Sequence, residues 1–293
     1  MIELNDVHFS YPNTKSVTNH ENAPCLSDLG HEIIKGISLK IVPGEFVCLL
    51  GANGSGKTTL GKLINGLIAP SSGSVCVDGF SASHEEEVYD VRRLVGMVFQ
   101  DPTRQLVAST IEDELAFGPE NLGIPAPEIR KRIDWALKIL NLEKLRNSEP
   151  HYLSGGQTQR VAIASVLVMH PRYIIMDEPT AMLDPAGRRS VLEAIDILRR
   201  SLGMAIIYIT HHMEEVLSSE RVLAIKDGSL FFDGPPSELF SARKAVEALS
   251  LELPPLIQLI NSLNDLGYDL PMSFSWEDTA KNIENRLNKS AKP

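Results

Sequence analysis

One segment limits this chain more than any other: Gly51-Ala52-Asn53-Gly54-Ser55-Gly56-Lys57-Thr58, entered directly from the apolar run 46–50. A buried strand that empties into a G-x-x-x-x-G-K-T loop and continues as a helix belongs to an α/β architecture with a parallel core sheet. The glycines let backbone N–H groups wrap an anion, and the following helix points its positive end at the same space. Lys57 offers a compact positive charge to β- and γ-phosphates, and the Thr58 hydroxyl suits Mg²⁺. With Thr59 completing the stretch, residues 51–59 form a candidate nucleotide cradle.

A second apolar strand, Tyr173-Ile174-Ile175-Met176, ends in Asp177-Glu178. Beside a phosphate loop, this strand delivers Asp177 to the carboxyl end of the sheet, where it can hold Mg²⁺. Glu178 then stands where it can polarise a water attacking the γ-phosphate.

The rest of the chain supplies the frame. Residues 1–11 alternate as a strand, 13–31 read as a long polar surface loop, and 37–42 read as a second strand closed by Pro43-Gly44. The pattern from about 83 to 150 is helical, and a helix is expected at 158–169, after Ser154, and another at 188–201. A strand at 205–210 follows, then strands at 222–225 and 230–233 joined by an Asp227-Gly228 turn. The β-rich beginning and end suggest an antiparallel subdomain against the core. After Pro254-Pro255, Leu256, Ile257, Leu259, Ile260, Leu263 and Leu266 mark a helix face, and Ser275 can cap a last helix.

The chain of 293 residues carries a formal net charge of −10 and shows no basic stripe, which argues against a nucleic-acid partner. Its three cysteines, Cys25, Cys48 and Cys76, have no metal-site spacing and fit a reducing compartment. The start has no basic lead or apolar run, and no stretch nears the ~18 apolar residues of a membrane span. Work at a membrane would require a partner.

Leu153-Ser154-Gly155-Gly156-Gln157 places a hydroxyl and two glycines at a second helix start, hence a second anion-binding N-terminus. This string resembles the signature of ATP-binding-cassette ATPases, in which it faces the ATP of a partner subunit. The resemblance, which covers about residues 1–240, implies further roles in order along the chain. Tyr11 stacks on adenine, and Gln100 senses Mg²⁺ and water. Asp184, in Ala181-Met182-Leu183-Asp184, belongs to a loop linking the two sites across the dimer. His211 is the switch histidine that contacts the γ-phosphate, with His212 beside it where the family more often has Asp.

The segments Phe99-Gln100-Asp101-Pro102, Glu112 to Gly123 and Leu251-Glu252-Leu253-Pro254-Pro255 resemble the ATPases of energy-coupling-factor importers, which take up vitamins and transition-metal ions. Asp101 and Thr103-Arg104 depart from the Asn and Asp-Asn usual there. The implied fold is a P-loop NTPase cassette with a parallel core sheet, an antiparallel β subdomain, a helical signature subdomain at about 100–165 and a small C-terminal helical extension. The implied division is a nucleotide-binding domain at 1–240 and the extension at 241–293. The implied ligands are ATP and Mg²⁺. The implied partners are a second copy or a related ATPase, plus integral membrane subunits, with the chain peripheral on the cytoplasmic side. The membrane subunits are expected to dock near residues 100–114, where Leu106, Val107 and Ile111 form an apolar strip.

Two other readings stay open. A conventional binding-protein-dependent importer uses the same motor. A soluble cassette ATPase acting on nucleic acid or ribosomes usually carries coiled-coil insertions or tandem cassettes, neither of which is present. A purely regulatory nucleotide-binding module predicts a broken site, whereas Lys57, Asp177, Glu178 and His211 are all in place.

Overall fold

The computed structural model describes residues 1–12 and 29–290. Its centre is a six-stranded sheet in the order β10-β9-β3-β8-β7-β6. The strands are β3 (Phe46–Leu50), β6 (Val95–Val98), β7 (Tyr173–Asp177), β8 (Ala205–Thr210), β9 (Arg221–Lys226) and β10 (Ser229–Gly234). Five run parallel and β10 returns antiparallel along β9. Strands β3, β7 and β8 are buried at every residue, as expected where both faces of a parallel sheet are covered.

Alternation along these strands divides the core in two. Cys48, Leu50, Ile174, Met176, Ile206 and Tyr208 face one way, into a cluster shared with helices α3 (Ile111–Asn121), α4 (Ala126–Ile139), α5 (Gly155–Leu167) and α6 (Pro185–Leu202). Val47, Leu49, Tyr173, Ile175, Ile207 and Ile209 face the other way, onto α1 (Lys57–Ile64), α2 (Val88–Leu94) and a second sheet. That second sheet is antiparallel, in the order β2-β1-β4-β5, from β1 (Ile2–Pro12), β2 (Leu29–Ile41), β4 (Ser72–Val77) and β5 (Phe80–Ser81).

Several expectations need correcting. The second strand begins at Leu29, because β2 pairs with β1 as far as Pro12↔Leu29; residues 13–28 of the expected loop lie outside the described residues. The C-terminal hairpin does not join the antiparallel subdomain. Its strand β9 hydrogen-bonds alongside β3, so it completes the core sheet. Ile111, the first residue of α3, is fully buried, and is core rather than part of an exposed strip.

Beyond β10 the chain forms α8 (Pro236–Ser241), α9 (Arg243–Ala248), α10 (Pro255–Asp265) and α11 (Trp276–Ser290). Phe240, Val246, Leu249, Leu256, Ile257 and Ile260 join the same buried cluster as Ile206 and Tyr208. Leu266, expected on the buried face of α10, is 75% exposed just past the helix end. Ser275 caps α11 by accepting from the Asp278 N–H at 3.3 Å.

Candidate active site

Strand register assembles the site. Leu49 lies opposite Ile209, Leu50 opposite Thr210, and Asp177 also opposite Ile209. Three neighbouring strands therefore end at one level, and the residues that follow them (Gly51, Glu178 and His211) emerge side by side at the carboxyl end of the sheet.

The loop after β3 is shaped by Gly56, at φ +105°, where an added Cβ would come within 2.8 Å of Ile34 Cδ1. Lys57 is 5% exposed, and its ammonium donates to the carbonyls of Gly51 at 2.9 Å and Ala52 at 3.0 Å. Burial pushes the Lys57 pKa down, while the nearby charges of Glu178 and Asp177 pull it back up. The Ser55 hydroxyl is buried with no hydrogen-bond partner among the described residues.

The two acids occupy different surroundings. Asp177 is buried at the end of β7, which raises its carboxyl pKa; the Thr58 hydroxyl, donating to Oδ1 at 3.0 Å, opposes that rise. Glu178 turns out of the strand at φ +45°, a left-handed conformation costing on the order of 1–3 kcal/mol in a non-glycine residue. Its N–H bonds the Ile209 carbonyl at 3.0 Å, which holds the turn. The turn points the carboxylate into the cleft. There Gln100 Nε2 donates to Oε2 at 3.1 Å, His211 Nδ1 meets Oε1 at 3.0 Å, and Lys57 Nζ lies 3.9 Å away.

These groups line an open cleft of about 620 Å³ together with Tyr11, Asn53, Gly54, Thr58 and Thr59. Tyr11 is 42% exposed; its hydroxyl approaches Thr59 Oγ1 at 3.5 Å, and its ring makes a T-shaped contact with Phe9. Of the paired histidines, His211 lines this cleft and His212 does not. The His212 N–H instead bonds Thr210 Oγ1 at 3.0 Å, and burial lowers its ring pKa. Ile33 and Met182 also line the cleft. Ile33 falls between the loop expected at 13–31 and the strand expected at 37–42, so no local pattern pointed to it; it lies in β2.

The signature segment lies outside this cleft. Ser154 is the N-cap of α5 in a reciprocal capping box with Gln157, its N–H donating to Gln157 Oε1 at 2.9 Å. The helix therefore opens at Gly155, three residues before the expected Thr158. A Cβ on Gly156 would stand 2.8 Å from Gly187 Cα, so α5 and α6 touch backbone to backbone at their starts. Asp184 caps α6 by accepting from the Gly187 N–H at 2.9 Å. Ser154 and Gly155 are exposed, and α5 presents its N-terminus to solvent rather than to the chain's own cleft.

A mainly parallel sheet, a phosphate loop at its carboxyl edge and a second, outward-facing helix N-terminus are the parts of a nucleotide-hydrolysing cassette. The sequence profile of the ABC transporter family matches residues 34–181, and the chain belongs to that family of ATP-binding ATPases.

Similar proteins narrow the comparison. The energy-coupling factor transporter ATP-binding protein EcfA1 of Clostridium perfringens is 41% identical over 270 residues, covering 92% of each chain. Among solved structures, cbiO1 from Clostridium perfringens, described as part of the ABC transporter complex cbiONQ, superposes with a TM-score of 0.72 at 34% identity, covering 89% of this chain and 98% of that one. The ATP-binding cassette MJ0796, solved as a dimer in a post-hydrolysis state bound to ADP and Pi, superposes with a TM-score of 0.67 at 29% identity, covering 80% of this chain and 99% of that one.

Proposed function

We propose that this chain is the ATP-hydrolysing subunit of a membrane importer of the energy-coupling-factor type, serving a vitamin or a transition-metal ion. The observation that carries the hydrolytic reading is the Glu178 carboxylate, turned into the cleft and met there by Gln100 and His211. The names of the similar proteins favour this importer type over a conventional binding-protein-dependent one.

In this reading the loop 51–59 holds the phosphates through its N–H groups, the Ser55 hydroxyl and Lys57, and Tyr11 stacks on the adenine. Thr58 and Asp177 present hard oxygen donors, to which Gln100 adds an amide oxygen; this donor chemistry fits Mg²⁺, which is bound by few protein ligands plus phosphate oxygens. Held there, the ion would supply positive charge against the phosphate oxygens. Glu178 orients the attacking water and accepts its proton, and His211 contacts the γ-phosphate. Ser154, Gly155, Gly156 and Gln157 of one subunit close over the nucleotide of the other, while Asp184 links the two sites. The second subunit is another copy of this chain or a related ATPase.

No helix of the described residues is long and apolar enough to cross a membrane. Docking to the membrane subunits uses a groove of about 320 Å³ between the sheet and the helices, lined by Leu67, Phe99, Gln105, Glu114, Phe117 and Met169. Beside it Val107 is 71% exposed. Buried Glu114 holds that loop, accepting from the Val107 and Ala108 N–H groups at 2.8 and 2.9 Å. The chain sits peripherally on the cytoplasmic face. Residues 1–240 act as the cassette, with its helical subdomain at about 100–165, and 241–293 act as an extension packed on it.

Affinity purification of the tagged full chain from detergent-solubilised membranes tests this function. Integral membrane proteins are expected to co-purify, with ATP hydrolysis that disappears in Lys57→Ala. Recovery without any membrane protein, or hydrolysis unaffected by that substitution, would overturn it.

A further inference from the structure

Glu215 lies on the short helix α7 (Met213–Val216), where an acid in the first turn would ordinarily be solvated. Here its side chain is only 2% exposed. Its Oε1 accepts from Thr180 Oγ1 at 2.6 Å and from Arg188 Nε at 2.9 Å, and its Oε2 accepts from Thr210 Oγ1 at 2.6 Å. Short bonds to an ionised acceptor are the strong class, and a buried carboxylate persists only when its lone pairs are satisfied in this way.

The three donors come from the three segments that carry the chemistry. Thr180 follows Glu178 by two residues. Thr210 immediately precedes His211, and its oxygen also accepts the His212 N–H at 3.0 Å, so the backbone is gripped on both sides of His211. Arg188 lies on α6, one turn beyond Asp184. Glu215 itself does not line the nucleotide cleft.

We infer that Glu215 is a positioning residue for ATP hydrolysis: it ties the strand ends bearing Glu178 and His211 to the helix bearing Asp184, and so holds His211 at hydrogen-bond distance from Glu178. This rests on the hydrolytic roles proposed above for those two residues. Only a carboxylate serves all three donors as they stand. An amide in its place keeps the volume, offers no acceptor on its nitrogen, and forfeits the ion pair with Arg188.

The test is a double-mutant cycle in the full chain under dimerising conditions, measuring single-turnover hydrolysis, ATP affinity and melting temperature. Glu215→Gln is expected to lower the hydrolysis rate about 10²-fold, as a small misplacement of catalytic groups does. ATP affinity should stay within about twofold of wild type, since binding uses other groups. In a His211→Ala background the same change should cost less than about threefold, because residues acting as a unit are non-additive. Thr210→Val, nearly isosteric and missing one hydroxyl, should show the same pattern at smaller size, and it carries the test where Glu215→Gln fails to fold. Equal losses in both backgrounds, or losses that track ATP binding or melting temperature, would reduce Glu215 to a purely structural residue and overturn the inference alone. Full activity in His211→Ala would overturn the hydrolytic reading and this inference together.

Discussion

The Thr58 hydroxyl donates to the Asp177 carboxylate at 3.0 Å across 119 residues of chain. The bond joins the first turn of α1 to the end of β7, and it sets side by side the two oxygen donors proposed for Mg²⁺. Asp177→Asn should therefore weaken ATP binding in the presence of Mg²⁺ while leaving metal-free ATP binding nearly unchanged. Nucleotide titrations with and without Mg²⁺ measure the difference. An equal loss in both would assign Asp177 to the fold rather than to the metal.

The three residues of the strip expected to receive the membrane subunit differ in burial. Val107 is 71% exposed, Leu106 is half-buried against the core and Ile111 is fully buried. Val107→Asp should uncouple transport in reconstituted vesicles with basal hydrolysis largely intact. Ile111→Ala should instead lower stability by about 2–5 kcal/mol, the usual cost of truncating a buried aliphatic side chain. Chemical denaturation of the two variants separates them; equal stability losses would place Val107 in the core.

Asp78 sits in the tight turn between β4 and β5 and reaches the core sheet. Tyr173 Oη donates to Oδ1 at 2.9 Å, Arg172 donates to Oδ2 at 2.9 Å, and the Met1 ammonium also pairs with the carboxylate. Burial favours the neutral acid, but these donors outweigh it and the carboxyl pKa lies below its ordinary value. The folded chain thus keeps a charge that the unfolded chain gives up on acidification. The stabilisation is fully present above about pH 4, where the unfolded carboxyl is ionised, and is lost as pH falls through the lower folded value. Asp78→Asn should destabilise the protein by about 1–3 kcal/mol at neutral pH, the usual cost of losing hydrogen bonds to a charged group. The gap from wild type should narrow on acidification; a gap independent of pH would remove the electrostatic account.

Much of this molecule was legible in its sequence, because the informative segments were local. Strands β3, β7 and β8 are continuous apolar runs, and each is followed at once by a chemically distinctive residue: Gly51, Glu178 or His211. The antiparallel sheet was harder to see. Asp78-Gly79 carries the same two-residue turn signal as Asp227-Gly228, but the strand after it has only two residues, too few for a visible alternation. Residues 29–31 of β2 close a polar stretch that reads as loop, and residues 32–36 fall short of the strand expected at 37–42; the true start of the strand is set by its long-range pairing with β1. The hairpin β9–β10 is local, but its partner β3 lies more than 170 residues earlier, a pairing that no local pattern encodes. Glu215 was missed for the same reason: its surroundings come from three distant segments, and a glutamate in a helical first turn looks like a solvated one.

The central claim is that Glu178 performs chemistry while other groups bind the nucleotide, and Glu178→Gln tests it most directly. The substitution keeps the side-chain volume and leaves an amide to face Gln100 and His211. General-base positioning contributes roughly 10²–10⁴-fold in rate, so its loss should cost about 3–5 kcal/mol of transition-state stabilisation. In the proposed arrangement, hydrolysis releases the γ-phosphate that bridges the two subunits. Size-exclusion chromatography of the variant with ATP and Mg²⁺ should therefore show a stable dimer retaining uncleaved ATP, where the wild type elutes without it. A variant that turns over ATP at the wild-type rate would show that Glu178 is not the base, and one that binds no ATP would contradict the proposed separation of binding from catalysis.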